Sequence, residues 1–223
     1  MQELYTQSAS TTASSSVEIS RVLRNTYALL AMTLLFSALC AAGSMAIGIG
    51  YGASLAMSFG ALALIWFVLP RTANSATGVW VVFAFTGLLG AGLGPVLNNY
   101  LALANGSLII AQALGGTALI FFGLSGYALV TRKDFSFMTG FLITGILVAF
   151  VAGIANMFFQ IQGLALAVSS MFLVLSSLLI MWQTSQIIHG GERNYLMATA
   201  TLYVSIYNVF TSLLHILGIM NSD

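Results

Sequence analysis

Charged side chains make up 5% of these 223 residues, against roughly 25% in an ordinary soluble domain. With 59% hydrophobic residues, that deficit excludes a water-soluble fold and leaves an integral membrane protein. One cysteine, Cys40, excludes an internal disulfide framework and a cysteine-based zinc cluster; it reads as a small packing residue. Ser37-Ala-Leu-Cys40 does not make a lipoprotein cleavage box, because Leu39 stands where a small residue is needed and no basic residue precedes Arg21. Acids are missing from every long apolar run: Glu3, Glu18, Asp134, Glu192 and Asp223 lie at the ends or between runs. The paired intramembrane acids that mark many ion paths are therefore absent, and a high-affinity buried calcium site, usually built with carboxylates, is not expected. Neither cofactor nor metal is implied, and a net charge of +1 gives no reason to expect a nucleic-acid partner.

What is present is a series of apolar runs about 20 residues long, rich in glycine and not alternating, which are helices rather than barrel strands. Residues 1–20 are rich in Ser and Thr, lack the basic start of a signal peptide and read as a disordered tail from Met1 to Ser20. Seven spans follow, at about 25–47, 52–70, 77–97, 107–130, 137–159, 164–187 and 196–218. Pro70-Arg71 closes the second. The third carries Gly87, Gly90, Gly92 and Gly94 before Pro95, so its far end is expected to be closely packed and unwound. In the fifth, Gly145, Ala149 and Gly153 share a small-residue face suited to close contact. Such short connections leave no room for a second soluble domain.

Arg21, Arg24, Arg71, Arg132, Lys133 and Arg193 are all 6 of the basic residues, and a seven-span count puts every one on the side of the N-terminus. The positive-inside rule then sets a cytoplasmic N-terminus and an external C-terminus.

Two spans carry polar stripes. Thr201, Ser205, Asn208, Ser212 and His215 share one face of the seventh, and Ser169, Ser176 and Gln183 repeat every seven along the sixth, with Ser170, Ser177 and Thr184 beside them. Polar groups facing lipid are costly, so both stripes should point inward, making this pair the expected core. Gln183, Ser205 and Asn208 are the candidate core or pore positions. Gly123-Leu-Ser-Gly126 matches the serine motif of rhomboid-type proteases, but Ser125 and His215 fall at opposite ends of their spans, on the order of 20 Å apart. His189 sits in a Gly-Gly loop that does not fix its ring. No enzyme activity is expected.

The stretch from Ile187 to Phe210, which opens Ile-Ile-His-Gly-Gly-Glu-Arg-Asn-Tyr, resembles the Bax inhibitor family, and within it the bacterial YccA-like branch. Val22-Leu-Arg-Asn-Thr-Tyr27, Phe83-Ala-Phe-Thr-Gly-Leu-Leu-Gly90, Leu93-Gly-Pro-Val-Leu-Asn98, Ala113-Leu-Gly-Gly-Thr-Ala-Leu119 and Thr131-Arg-Lys-Asp-Phe-Ser-Phe137 carry the same likeness. The resemblance implies six helices around a central seventh, a place in the bacterial inner membrane, and two competing functions. One is a substrate and modulator, an inhibitor, of the membrane AAA protease FtsH with its accessory membrane proteins, engaged through the N-terminal tail. The other is a pH-dependent leak for calcium or other cations, gated in the family by an aspartate on each of the last two helices. Those positions are Gln183 and Ser205 here, neither of which titrates usefully.

Single cysteines placed near residue 10 and near residue 221 of a Cys40→Ser background should label from opposite sides of the membrane. Labelling from one side would mean six or eight spans.

Overall fold

The computed structural model describes residues 17–221. Seven helices are long and apolar enough to cross a membrane: α1 (Val17–Ile47), α2 (Tyr51–Thr72), α3 (Thr77–Leu101), α4 (Gly106–Thr131), α5 (Ser136–Phe159), α6 (Gln162–Ile188) and α7 (Tyr195–Met220). No strand occurs among the described residues. Of the tail expected to be disordered over 1–20, the part up to residue 16, Met1 included, lies outside the described residues. Val17–Ser20 correct the expectation: they are helical and run straight into α1, since nothing in Val17-Glu-Ile-Ser20 breaks a helix.

In hydrocarbon, helices gain nothing from hiding apolar surface from lipid, so close approach and hydrogen bonding decide which faces meet. Glycines bring α3 against α1. A Cβ on Gly87 would come 2.7 Å from the Phe36 ring, and one on Gly90 would overlap the Ser37 carbonyl. The far end of α3 breaks for a single residue, Leu93, between Thr77–Gly92 and Gly94–Leu101. Pro95 has no N–H for the Ala91 carbonyl, and the Ser44 hydroxyl of α1 takes that carbonyl at 2.6 Å. The Ser54 hydroxyl of α2 donates to Gly92 O. The expected unwinding is thus a one-residue kink, because two neighbouring helices supply the missing donors. Pro70 has a similar effect in α2, where Leu64–Val68 widens into a π-helical turn.

Helix α7 packs against α1, α3, α4 and α6; α2 leans on α3, and α5 on α6. Four helices rather than six therefore surround the seventh. The main core also differs from the expected α6–α7 pair. It joins Leu29 and Leu30 of α1 with Ala61 and Leu69 of α2, Val81, Val82 and Phe85 of α3, Phe121 of α4 and Leu196, Ala200, Leu202, Tyr203, Ile206 and Val209 of α7, while α6 contributes Ile180. Helix α5 does use its small face: Ala149 is fully buried, a Cβ on Gly145 would come 2.6 Å from Leu175, and Trp182 Nε1 of α6 donates to Thr139 Oγ1 at 3.0 Å.

Alternating helices put Arg21, Arg24, Arg71, Arg132, Lys133 and Arg193 at one end of the bundle, the basic end. Replacing Gly90 with valine forces Ser37 off α3 and is expected to cost about 1–3 kcal/mol. Gly123→Val, where a Cβ meets nothing within 4 Å, should be near neutral; thermal unfolding in detergent checks both.

Candidate functional site

The α6–α7 hairpin is built from its loop. Helix α6 ends as Gly190 turns to φ 73, a conformation glycine adopts at no steric cost. Gly191 N–H then reaches back to Gln186 O at 2.8 Å and Gly190 N–H to Ile187 O at 3.2 Å, the paired bonds of a Schellman cap. Helix α7 starts at Asn194, whose Oδ1 accepts from Leu196 N (2.9 Å) and Met197 N (3.2 Å). The same amide donates to Ala73 O at 2.9 Å, which fastens the start of α7 to the α2–α3 turn.

At the other end of the hairpin Ser169 Oγ and His215 Nδ1 lie 2.7 Å apart. That bond fixes the register of the antiparallel pair. Seven residues further in, Ser176 comes level with Asn208; after another seven, Gln183 comes level with Thr201. Both sequence stripes therefore face one seam. Gln183 and Ser205 do not share a level, being offset by about 6 Å along the axis at 1.5 Å per residue. Ser205 is fully buried and its hydroxyl donates to Thr201 O of its own helix at 2.8 Å. Gln183 is 2% exposed, and its Nε2, with Ser125 Oγ and Thr26 Oγ1, lacks a hydrogen-bond partner. Asn208 is half-buried, and of the second row of the stripe Ser170 points outward, bonded to Leu166 O.

His189 is held rather than loose. Its Nδ1 is 2.9 Å from Ser185 O and its Nε2 3.1 Å from Arg132 O. The sequence offered only the Gly-Gly loop; the α4–α5 connection that supplies the second carbonyl is distant in the chain. Around it Ser185 Oγ donates to Lys133 O at 3.0 Å and accepts from Phe135 N at 3.1 Å. Gln186 Nε2 donates to Ser136 Oγ at 2.9 Å. The hydroxyl and amide of Ser136, with a smaller pull from His189, hold the Asp134 carboxyl below its ordinary pKa. This clasp belongs to the basic end. Neither histidine bonds Ser125: His215 pairs with Ser169, and the two ring nitrogens of His189 face the carbonyls of Ser185 and Arg132. Among the described residues the one carboxylate on a span is the exposed Glu18 at the first turn of α1, remote from either histidine in the chain and not placed to orient a Ser–His pair for nucleophilic attack, and no metal-binding cluster of three or more His, Cys, Asp or Glu occurs among the described residues.

Sequence reasoning missed one junction. Tyr203 is 1% exposed; its hydroxyl donates to Thr86 O of α3 at 3.1 Å. A hydroxyl that gives its only proton to a carbonyl can then only accept, so Ser37 of α1 donates to Tyr203 at 2.5 Å. Phe85 packs edge-on against the same ring, centroids 5.6 Å apart. The available signal was in α1, where Thr26, Thr33, Ser37 and Ser44 recur at steps of seven, four and seven on one buried face.

Residues 19–222 match the family described as inhibitor of apoptosis-promoting Bax1. The chain is 50% identical over 203 residues to the modulator of FtsH protease YccA of Escherichia coli K12, covering 91% of this chain and 92% of that one. It is 52% identical over 206 residues to an uncharacterized Pseudomonas aeruginosa protein, covering 92% of each. Against an uncharacterized membrane protein of Vibrio cholerae the identity is 47% over 93% of each.

A double-mutant cycle on Ser169→Ala and His215→Ala should return a coupling of about 0.6 kcal/mol, the average for inter-helix hydrogen bonds in a membrane bundle, and no more than about 1.7. Zero coupling would separate the two stripes.

Proposed function

The chain belongs to the Bax inhibitor family, and from that premise we propose that it is a multi-pass inner-membrane protein that modulates the membrane AAA protease FtsH as a slowly processed substrate. The observation that carries this reading is 50% identity across 91% of the chain to a protein named as the modulator of that protease.

An ATP-driven unfoldase needs an unstructured handle, and the Ser- and Thr-rich composition of residues 1–16 suits one. These residues lead into α1 at the basic end, the cytoplasmic side by the positive-inside rule. Behind it stands a bundle whose helices are joined by buried hydroxyl and amide bonds. A substrate gripped easily and extracted slowly occupies the protease, which is inhibition by residence. The proteins that accompany FtsH in the membrane are further partners on this reading, and the lipid bilayer is the solvent of the whole chain.

One observation favours a second reading, a cation leak along the α6–α7 seam: Gln183 Nε2 and Ser125 Oγ are buried without a protein partner, as groups lining a wet path are. Neither Gln183 nor Ser205 titrates, so such a leak would not follow the pH gate that the family's aspartates imply. Purified protein in vesicles that passes neither calcium nor protons between pH 6 and 8 removes this alternative.

The test of the first reading is the cellular half-life of the full-length chain and of a version lacking residues 1–16, each with and without FtsH. Turnover of the full-length chain only when the protease is present, with a stable truncation, is the expected result. Equal lifetimes in all four cases would sink it.

A further inference from the structure

If the tail is the handle, α1 is the first element pulled, and what fastens α1 to the rest sets how long the protease is held. Its attachments are unevenly distributed. Near the basic end Tyr27 OH pairs with Thr184 Oγ1 of α6 at 3.1 Å, and Thr199 Oγ1 of α7 reaches Thr26 O at a longer 3.3 Å while also bonding its own helix at 2.7 Å. At the far end Ser44 caps the kinked carbonyl of α3 at 2.6 Å, and Asn98 Nδ2 reaches Met45 O at 3.1 Å. Midway stands a junction in which one side chain bridges three helices. The Ser37 hydroxyl donates to Tyr203, and Tyr203 donates to Thr86 O. All three groups are buried: Ser37 is 7% exposed, Tyr203 1% and Thr86 0%.

We infer that this relay, Ser37 to Tyr203 to Thr86, is the mechanical clamp that sets the rate at which α1 can be drawn out of the bundle. Three features make it so. The relay has one direction, each hydroxyl donating onward, so breaking the Ser37 bond strips Tyr203 of its only donor and leaves a buried acceptor unmatched in hydrocarbon. Gly90 lets α3 approach so closely that its missing side chain would overlap Ser37; an axial pull on α1 must therefore drag the Ser37 turn past α3 rather than slide along a smooth face. Finally, Tyr203 belongs to the central helix and sits in the main hydrophobic cluster with Leu30, Val82 and Phe85, so the load passes to the most deeply packed part of the molecule.

This inference rests on the tail-first reading proposed above, and two measurements separate its failure from that of the reading. In the first, purified FtsH degrades full-length wild type, Tyr203→Phe, Ser37→Ala and Ser169→Ala in proteoliposomes. Tyr203→Phe keeps the ring and loses both bonds; Ser37→Ala loses one inter-helix bond within the clamp, and Ser169→Ala loses one outside it. Degradation about tenfold faster for Tyr203→Phe, equivalent to about 1.4 kcal/mol of barrier, a smaller acceleration for Ser37→Ala and none for Ser169→Ala support the clamp. Equal acceleration by Ser37→Ala and Ser169→Ala overturns it, since general loosening would then explain both.

In the second, the chain is pulled from its N-terminus in a lipid bicelle with no protease present, and the force of the first rupture is read. A lower first force for Tyr203→Phe and Ser37→Ala with Ser169→Ala unchanged supports the clamp even if the protease never engages the tail. An unchanged first force in both clamp variants overturns it whatever the protease does.

Discussion

Hydrocarbon gives a helix bundle no reward for hiding apolar surface and a heavy penalty for an unmatched polar group, and the arrangement around Tyr203 follows from that constraint. Its ring fills the centre of the bundle, and its hydroxyl has to be matched there. The match is a carbonyl of α3 and a hydroxyl of α1, both within reach only because Gly87 and Gly90 let these two helices approach to contact distance. The same rule places Ser44 and Ser54 at the kink in α3, where Pro95 leaves backbone carbonyls without their usual donor.

The α6–α7 hairpin meets the constraint differently. Its register is set at one end by a Schellman cap and the Asn194 cap, and at the other by Ser169 and His215. Between them the polar residues face a common seam, some bonded to their own helix like Ser205, some without a protein partner like the Gln183 amide. Helix α7 is thus hydrogen-bonded through Tyr203 toward α1 and α3, and makes its most extensive contact with α6, where the Gln183 amide nitrogen has no protein partner. A slow-extraction modulator draws on the first side of α7, and a leak would draw on the second. The two readings therefore depend on different faces of one helix, which is why substitutions at Tyr203 and at Gln183 address them separately.

The sequence by itself determined that this is a seven-helix membrane protein with all its basic residues at one end, because a shortage of charge, the length of the apolar runs and the placement of six basic residues depend only on order along the chain. It also determined the polar stripes of the last two helices, since a three-to-four-residue spacing puts side chains on one face whatever the neighbours are; the central place of the seventh came from the family resemblance. The tertiary structure decided which helices answer those faces. That α3 shares the core, that α2 and α5 stand in an outer row, that Gln183 comes level with Thr201 rather than Ser205, and that His189 is gripped by Arg132 are relations between segments 18 to 166 residues apart along the chain, if the Tyr203–Ser37 bond is counted with them. Spacing within one helix carries no information about them, because they are fixed by how closely glycine lets two backbones approach and by which donor reaches an unmatched oxygen first.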